Sequence, residues 1–445
     1  MKRLILTGLV YLGALATQAQ TEPYEMTVEG VKIIVHPVQN QLVDILTVFK
    51  GGVQNYPASK QGIESLALNA LLECGTKNDD KNSFKNKLDK VSGQIYSSAD
   101  MDYSTVGMNC ISSDLNAVWP LYIDALTAPR FDEKEFTRIK QDAVNMIGMQ
   151  ESDPDYTINK YAKKVAFNGR DYSKDPSGSV DIVNKLTVAE TKAYYTQILN
   201  KNQIMIVVVG DVQKEDITNK LKQLLAKIPA GKPFTLKKEK YTPTGNTFNA
   251  TKKEFATNYI VGMTSGPLPG TPDYLAYRVA MNIFADRHFL EVRSKNGLSY
   301  APGAYFEGNS TSVTNVSVST TEPNKYINVF NGLVDKIKKE GFNNEEVKNE
   351  INTYSTRIYY RQETNGAQAA TYAANEVLFG DWRRANTMKN ELAGLTTAKV
   401  NEAFRKYFTK MSWVYMGNPA QVNSTLFTGS KPLPPSKVTT PVKKN

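Results

Sequence analysis

The chain has 445 residues, more than one hydrophobic core comfortably serves, so two or more domains are expected. Its 41% apolar and 22% charged residues are ordinary for a globular protein. The net charge of +10 is scattered among many acidic residues and densest at Lys237–Lys240, which excludes a nucleic-acid footprint and leaves solubility and mild attraction for acidic partners.

Met1 to Gln20 reads as a targeting segment, cleaved before Gln20 (residues 1–19). Lys2 and Arg3 supply the positive start, and Leu4 to Ala16 an apolar stretch too short for a membrane anchor. Thr17 and Ala19 are the small residues of a cleavage site, and no cysteine follows for lipid attachment. No later run is long enough to span a bilayer, so the expectation is a soluble exported protein, with a bacterial periplasm as compartment.

In the first half, VKIIVHPV and VDILTVFKGG read as extended segments leading to a helix from about Gly62 to Leu72. A helix ending in KVSGQIYSS and a strand around Val106 to Ile111 follow. The second half offers YIVGMTSGP, a helix from about Tyr274 to Phe284, the segment FLEVRSKNGLSY, and a strand from Val313 to Ser319. Two further pairs match across the halves. FDEKEF at Phe131 and FNNEEV at Phe342 each open a long helix. LTVAETKAYYTQIL at Leu186 and LTTAKVNEAFRKYF at Leu395 each precede a strand. The two offsets are 211 and 209 residues, and so constant a spacing implies a duplication. The expected fold class is therefore α+β, two homologous domains, each a mainly antiparallel sheet layered with helices on one face. The domains span residues 20–229 and 249–430. Between them, 230–248 is a Pro-, Gly-, Thr- and Lys-rich linker, and 431–445 a loose tail. Cys74 and Cys110 could pair in an oxidising compartment, but a buried free thiol suits Cys110 at least as well.

Phe289 to Tyr300 carries the chemistry. It opens as an amphipathic helix, stops at Asn296-Gly297, and continues as a strand from Leu298 toward Tyr305. Arg293 and Tyr300 stand on either side of Gly297, where a guanidinium and a phenol could grip a peptide backbone or carboxylate. On residue types alone, the simpler reading is an exposed arginine beside a half-buried tyrosine.

Arg293, Gly297, Leu298 and Tyr300 resemble the R-x-x-x-G-L-x-Y motif of the pitrilysin/insulinase family of zinc peptidases, and the resemblance covers most of the chain after its leader. It implies a clamshell half built of two such domains, with Arg293 and Tyr300 holding substrate opposite a zinc ion. Active members carry H-x-x-E-H on the first helix of the N-terminal domain and a further glutamate on a later helix. Here those positions fall near Ser65 to Asn69 and at about Asn145, and no histidine occurs between Pro37 and Arg287. No metal is expected to be bound by this chain. HFLEV at His288 is one residue short of the motif, with Val292 in place of the second imidazole. It would need His36 close by, an unlikely neighbour for a strand-end residue. A serine triad has little support, because there is no G-x-S-x-G and only two histidines.

These readings converge on a non-catalytic, substrate-binding subunit of a heteromeric zinc metallopeptidase, inactive alone. Its expected partner is a chain bearing H-x-x-E-H and the zinc. The alternative is a catalytically silent peptide-binding or scaffold protein of the same fold.

Overall fold

A computed structural model describes residues 22–429, so the leader and tail expectations lie outside the described residues. The first half builds a six-stranded sheet from β1 (Tyr24–Val28), β2 (Val31–Pro37), β3 (Leu42–Lys50), β4 (Gln94–Ala99), β5 (Tyr103–Ile111) and β6 (Ile204–Gly210), in the order β1-β2-β6-β3-β5-β4. The second half builds a five-stranded sheet from β7 (Thr247–Lys252), β8 (Asn258–Ser265), β9 (Gly303–Glu307), β10 (Val313–Thr320) and β11 (Ser412–Gly417), in the order β7-β11-β8-β10-β9. Apart from β1 the two orders are one pattern. In each, the last strand inserts centrally and pairs in parallel with the first (β2 with β6, β7 with β11), and every other pairing is antiparallel. The duplication read from sequence is thus a duplication of topology.

The central strands are apolar on both sides. β6, IMIVVVG, is buried along its whole length, the mark of a strand covered on two faces. One face of the first sheet, with Val43, Ile45 and Phe49, packs on the helices of its own half. The opposite face, with Ile34, Leu46, Val48 and Val207, packs on Tyr372, Ala373 and Val377 of the helix Asn365–Phe379, which belongs to the second half. The exchange is reciprocal. Helix Pro154–Ala166 of the first half lies against β8 and β11, so Ile158 and Ala162 share a core with Val261 and Val414. Helices therefore cover both faces of each sheet, not one. The second cover comes from the other half because the helix after the long helix runs across, rather than back onto its own sheet.

Residues 230–246 hold no helix or strand. They are nonetheless fastened: Lys237 N–H donates to Gln54 (3.0 Å), Glu239 N–H to the Ser310 carbonyl (2.9 Å), and buried Tyr241 packs 4.8 Å from Phe167 between ring centres. A buried carboxylate also joins the halves: Asp102 accepts from Tyr172 Oη (2.6 Å), Ser310 N–H (3.0 Å) and Ser310 Oγ. Both cysteines are buried and free. Burial pushes the Cys74 thiol up to about 12 and that of Cys110 to about 11, so neither is a reactive thiolate.

Candidate functional site

Helix Tyr274–Phe289 does not stop where apolar spacing suggests. It runs on into a π-helical turn, Leu290–Lys295, and the strand begins only at Gly303, so 298–302 are irregular rather than extended. The turn is closed from below by Val292 and Leu298, both buried, and by two backbone bonds, Leu298 N–H to Val292 (2.9 Å) and Gly297 N–H to Arg293 (3.1 Å). Gly297 has φ +61°, the left-handed conformation that lets the chain reverse there.

This turn brings Arg293 and Tyr300 together. The guanidinium carbon lies 4.1 Å from the Tyr300 ring centre and 5.1 Å from that of Phe289, four residues earlier on the same helical face. Their exposure is the reverse of the simpler sequence reading: Arg293 is half-buried and Tyr300 is 79% exposed. The nearest acid in sequence, Glu291, is engaged by Lys295 at 2.8 Å and by Asn296. Arg293 has no ion pair among the described residues, so aromatic contacts hold the guanidinium and leave its N–H donors without a protein acceptor. Such a group can bind a carbonyl or carboxylate oxygen by charge-assisted hydrogen bonds. Phe289 is the member that sequence reasoning missed; its i, i+4 spacing from Arg293 was the available signal.

The positions where a metal would sit offer no ligands. On helix Ile63–Glu73, Ser65 and Asn69 are half-buried neutral side chains, and Asn145 on helix Glu133–Ser152 is exposed and accepts from Gln141 at 2.9 Å. Serine and asparagine do not replace imidazole and carboxylate toward zinc, so this donor set does not fit the ion. Glu64, one position before Ser65, is fully buried and accepts from Ser104, Tyr194 and Asn55. Burial raises its carboxyl despite those donors, so it supports the helix as a core group.

The two histidines lie on different halves. His288 is fully buried, with Nε2 3.2 Å from Tyr326 Oη and its ring stacked on Phe284; burial holds it down at about 3, as a neutral ring. His36, at the end of β2, meets Tyr372 of the crossing helix at 3.1 Å through Nδ1, and burial lowers its pKa. Among the described residues no three His, Cys, Asp or Glu side chains are grouped as metal ligands, and no helix is long and apolar enough to cross a membrane.

Comparison with known proteins fits this geometry. The family profile described as peptidase M16 inactive domain matches residues 185–354. The protein named "Uncharacterized zinc protease YmxG" of Bacillus subtilis is 20% identical over 344 residues, 76% of this chain and 83% of that protein. The Helicobacter pylori protein named "Non-peptidase homolog YmxG" is 21% identical over 111 residues, 25% of this chain and 26% of that one. Among solved structures, the peptidase M16 inactive domain from Pseudomonas fluorescens superposes with a TM-score of 0.78 at 17% identity, over 89% of this chain and 98% of that chain. The periplasmic protease PqqL from Escherichia coli gives 0.77 at 14% identity, over 94% of this chain and 49% of that chain. The chain thus has the fold of these proteins, and its residues 185–354 resemble the domain described as the inactive domain of the M16, or pitrilysin/insulinase-like, peptidases.

Proposed function

We propose that this chain, which resembles the inactive domain of the M16 peptidases, is the substrate-gripping subunit of a two-chain zinc peptidase. A separate chain with H-x-x-E-H supplies the metal and the hydrolytic water. The carrying observation is the Arg293 guanidinium, without an ion pair among the described residues and flanked by Phe289 and Tyr300, on a molecule whose own metal positions hold Ser65, Asn69 and Asn145. Four similar domains, two from each chain, enclose the substrate. Arg293 donates to a substrate carbonyl or carboxylate, and Tyr300 Oη donates to the scissile carbonyl oxygen as negative charge grows on it. Both act in trans, so the chain alone hydrolyses nothing. A targeting segment at residues 1–19 would put the pair in a bacterial periplasm.

Mixing tests this reading. The native partner is co-purified, and peptide hydrolysis is measured for each chain alone and for the pair. Activity is expected only for the pair, with zinc found in the partner. Tyr300→Phe should lower its kcat about 100-fold, the cost of losing one oxyanion donor. Arg293→Ala should lower kcat/KM by at least about tenfold. If both variants leave the pair's activity intact, the chain is a silent scaffold of the same fold. Chelator-sensitive cleavage by this chain alone refutes the assignment.

A further inference from the structure

We propose a second binding site, for a small anionic amphiphile, in an open cavity of about 720 Å³ on the first half, remote in sequence from the Arg293 turn and independent of its role. The volume is that of a small-molecule site. Its floor is apolar: Leu126, Phe131, Tyr195 and Leu199 are all buried, with the Phe131 and Tyr195 ring centres 6.2 Å apart. Phe131 reaches that floor through a strained backbone. Its φ is +51°, a left-handed conformation unfavourable for a residue with a Cβ.

The rim is cationic. Lys77, Arg130, Lys192 and Lys227 are exposed around the opening, and no acidic side chain lines the cavity. The three lysine Nζ atoms have no carboxylate partner among the described residues, and Arg130 only reaches Asp132 at 3.7 Å. Three like charges held together without paired acids raise the local potential and attract an anion.

The backbone N–H groups and one hydroxyl at the rim are already used. Lys77 N–H donates to the Ala128 carbonyl (2.8 Å), Arg130 N–H to that of Gly75 (3.0 Å), and the Thr196 hydroxyl to that of Lys192 (2.9 Å). Thr76 and Pro129 are bridged as strand partners. Ala128 N–H is held by Asp124 and Pro129 has none, so this bridge offers an extended peptide no backbone donor, and the geometry favours a compact ligand over a polypeptide. An apolar body on Phe131 and Leu199 with a carboxylate or phosphate head among the lysines satisfies every surface present. A free fatty acid has that chemistry, and it is the occupant we assign.

The test is calorimetric titration of the full chain with sodium dodecanoate below its micellar concentration, at low salt. Saturable binding at one site is expected, weakened by added salt because the rim charges are exposed. Lys192→Ala/Lys227→Ala should weaken it about tenfold, two exposed ionic contacts being lost. Thr196→Trp, which fills the opening from an exposed helical position, should abolish it, with circular dichroism confirming that both variants fold. Dodecyltrimethylammonium, with the same tail and the opposite charge, should not bind. No saturable heat with dodecanoate, equal affinity in either variant, or equal binding of the cationic amphiphile overturns the proposal. So does binding to phosphatidylglycerol vesicles without binding to dodecanoate, which would make the face a membrane contact.

Discussion

Asp44 shows what a single residue costs this fold. It lies on β3, 8% exposed, facing the first turn of crossing helix Asn365–Phe379 so closely that a Cβ on Gly366 would stand 3.2 Å from its Oδ1. Burial alone pushes its carboxyl from an ordinary value near 3.8 up to about 6. The folded state therefore holds the proton more tightly than the unfolded chain does. Below about pH 3 both states are protonated and there is no penalty. As the pH rises toward 6 the unfolded chain ionises first, and stability falls until the folded carboxyl has ionised too. Discounted for water reaching the cleft and for the positive end of the helix nearby, the penalty at neutral pH is on the order of 1–2 kcal/mol. Asp44→Asn should then raise the melting temperature at pH 7.5 and raise it much less at pH 4, as thermal unfolding followed by circular dichroism would show. A gain as large at pH 4 as at pH 7.5 would mean the asparagine helps by another route.

Among the elements, the π turn Leu290–Lys295 is the one that the proposed role rests on and the one that pattern reading misjudged. A π turn holds one residue more than an α turn, so it re-aims the side chains beyond it by about 100°. The apolar spacing after Phe284 no longer fits a 3.6-residue repeat, which is why the helix looked interrupted. The stop at Gly297 was legible because glycine tolerates a positive φ. The face on which Arg293 would emerge was not, since it depends on the inserted residue. Partial burial of Arg293 and exposure of Tyr300 follow from that, and sequence spacing does not encode it. Gly297→Ala adds a methyl that meets no atom within 4 Å, so its effect isolates backbone strain. It should cost about 1–2 kcal/mol, and Gly297→Asn less, because asparagine accepts the left-handed region more readily. Chemical denaturation of both variants checks the ranking; equal stabilities would show that the turn relaxes. If the proposed pairing holds, the same two variants should rank alike in a peptidase assay of the two-chain complex.

For the whole molecule, repetition was visible in sequence and interlocking was not. Matched segments such as FDEKEF and FNNEEV expose a duplication, because each half repeats the same local signals at the same spacing. Nothing local says which sheet a helix will cover. Helices Pro154–Ala166 and Asn365–Phe379 are amphipathic whichever apolar face they meet, and only the packed molecule shows that each meets the other half's sheet. Residues 22–229 alone would leave Ile34, Leu46, Val48 and Val207 bare, and residues 230–429 would leave Val261 and Val414 uncovered. Each half expressed separately should be insoluble, and co-expression should restore soluble protein that unfolds in a single transition. A soluble, cooperatively folded first half would show that its sheet tolerates an open face.

The crossed helices also decide where a gate can be. Prying one sheet from the other would tear a helix off each at the same time, so the polypeptide behaves as a single block. In the two-chain peptidase proposed above, whatever admits a long peptide would have to give way at the seam between the chains, and swinging apart there would ask nothing of this chain's own core.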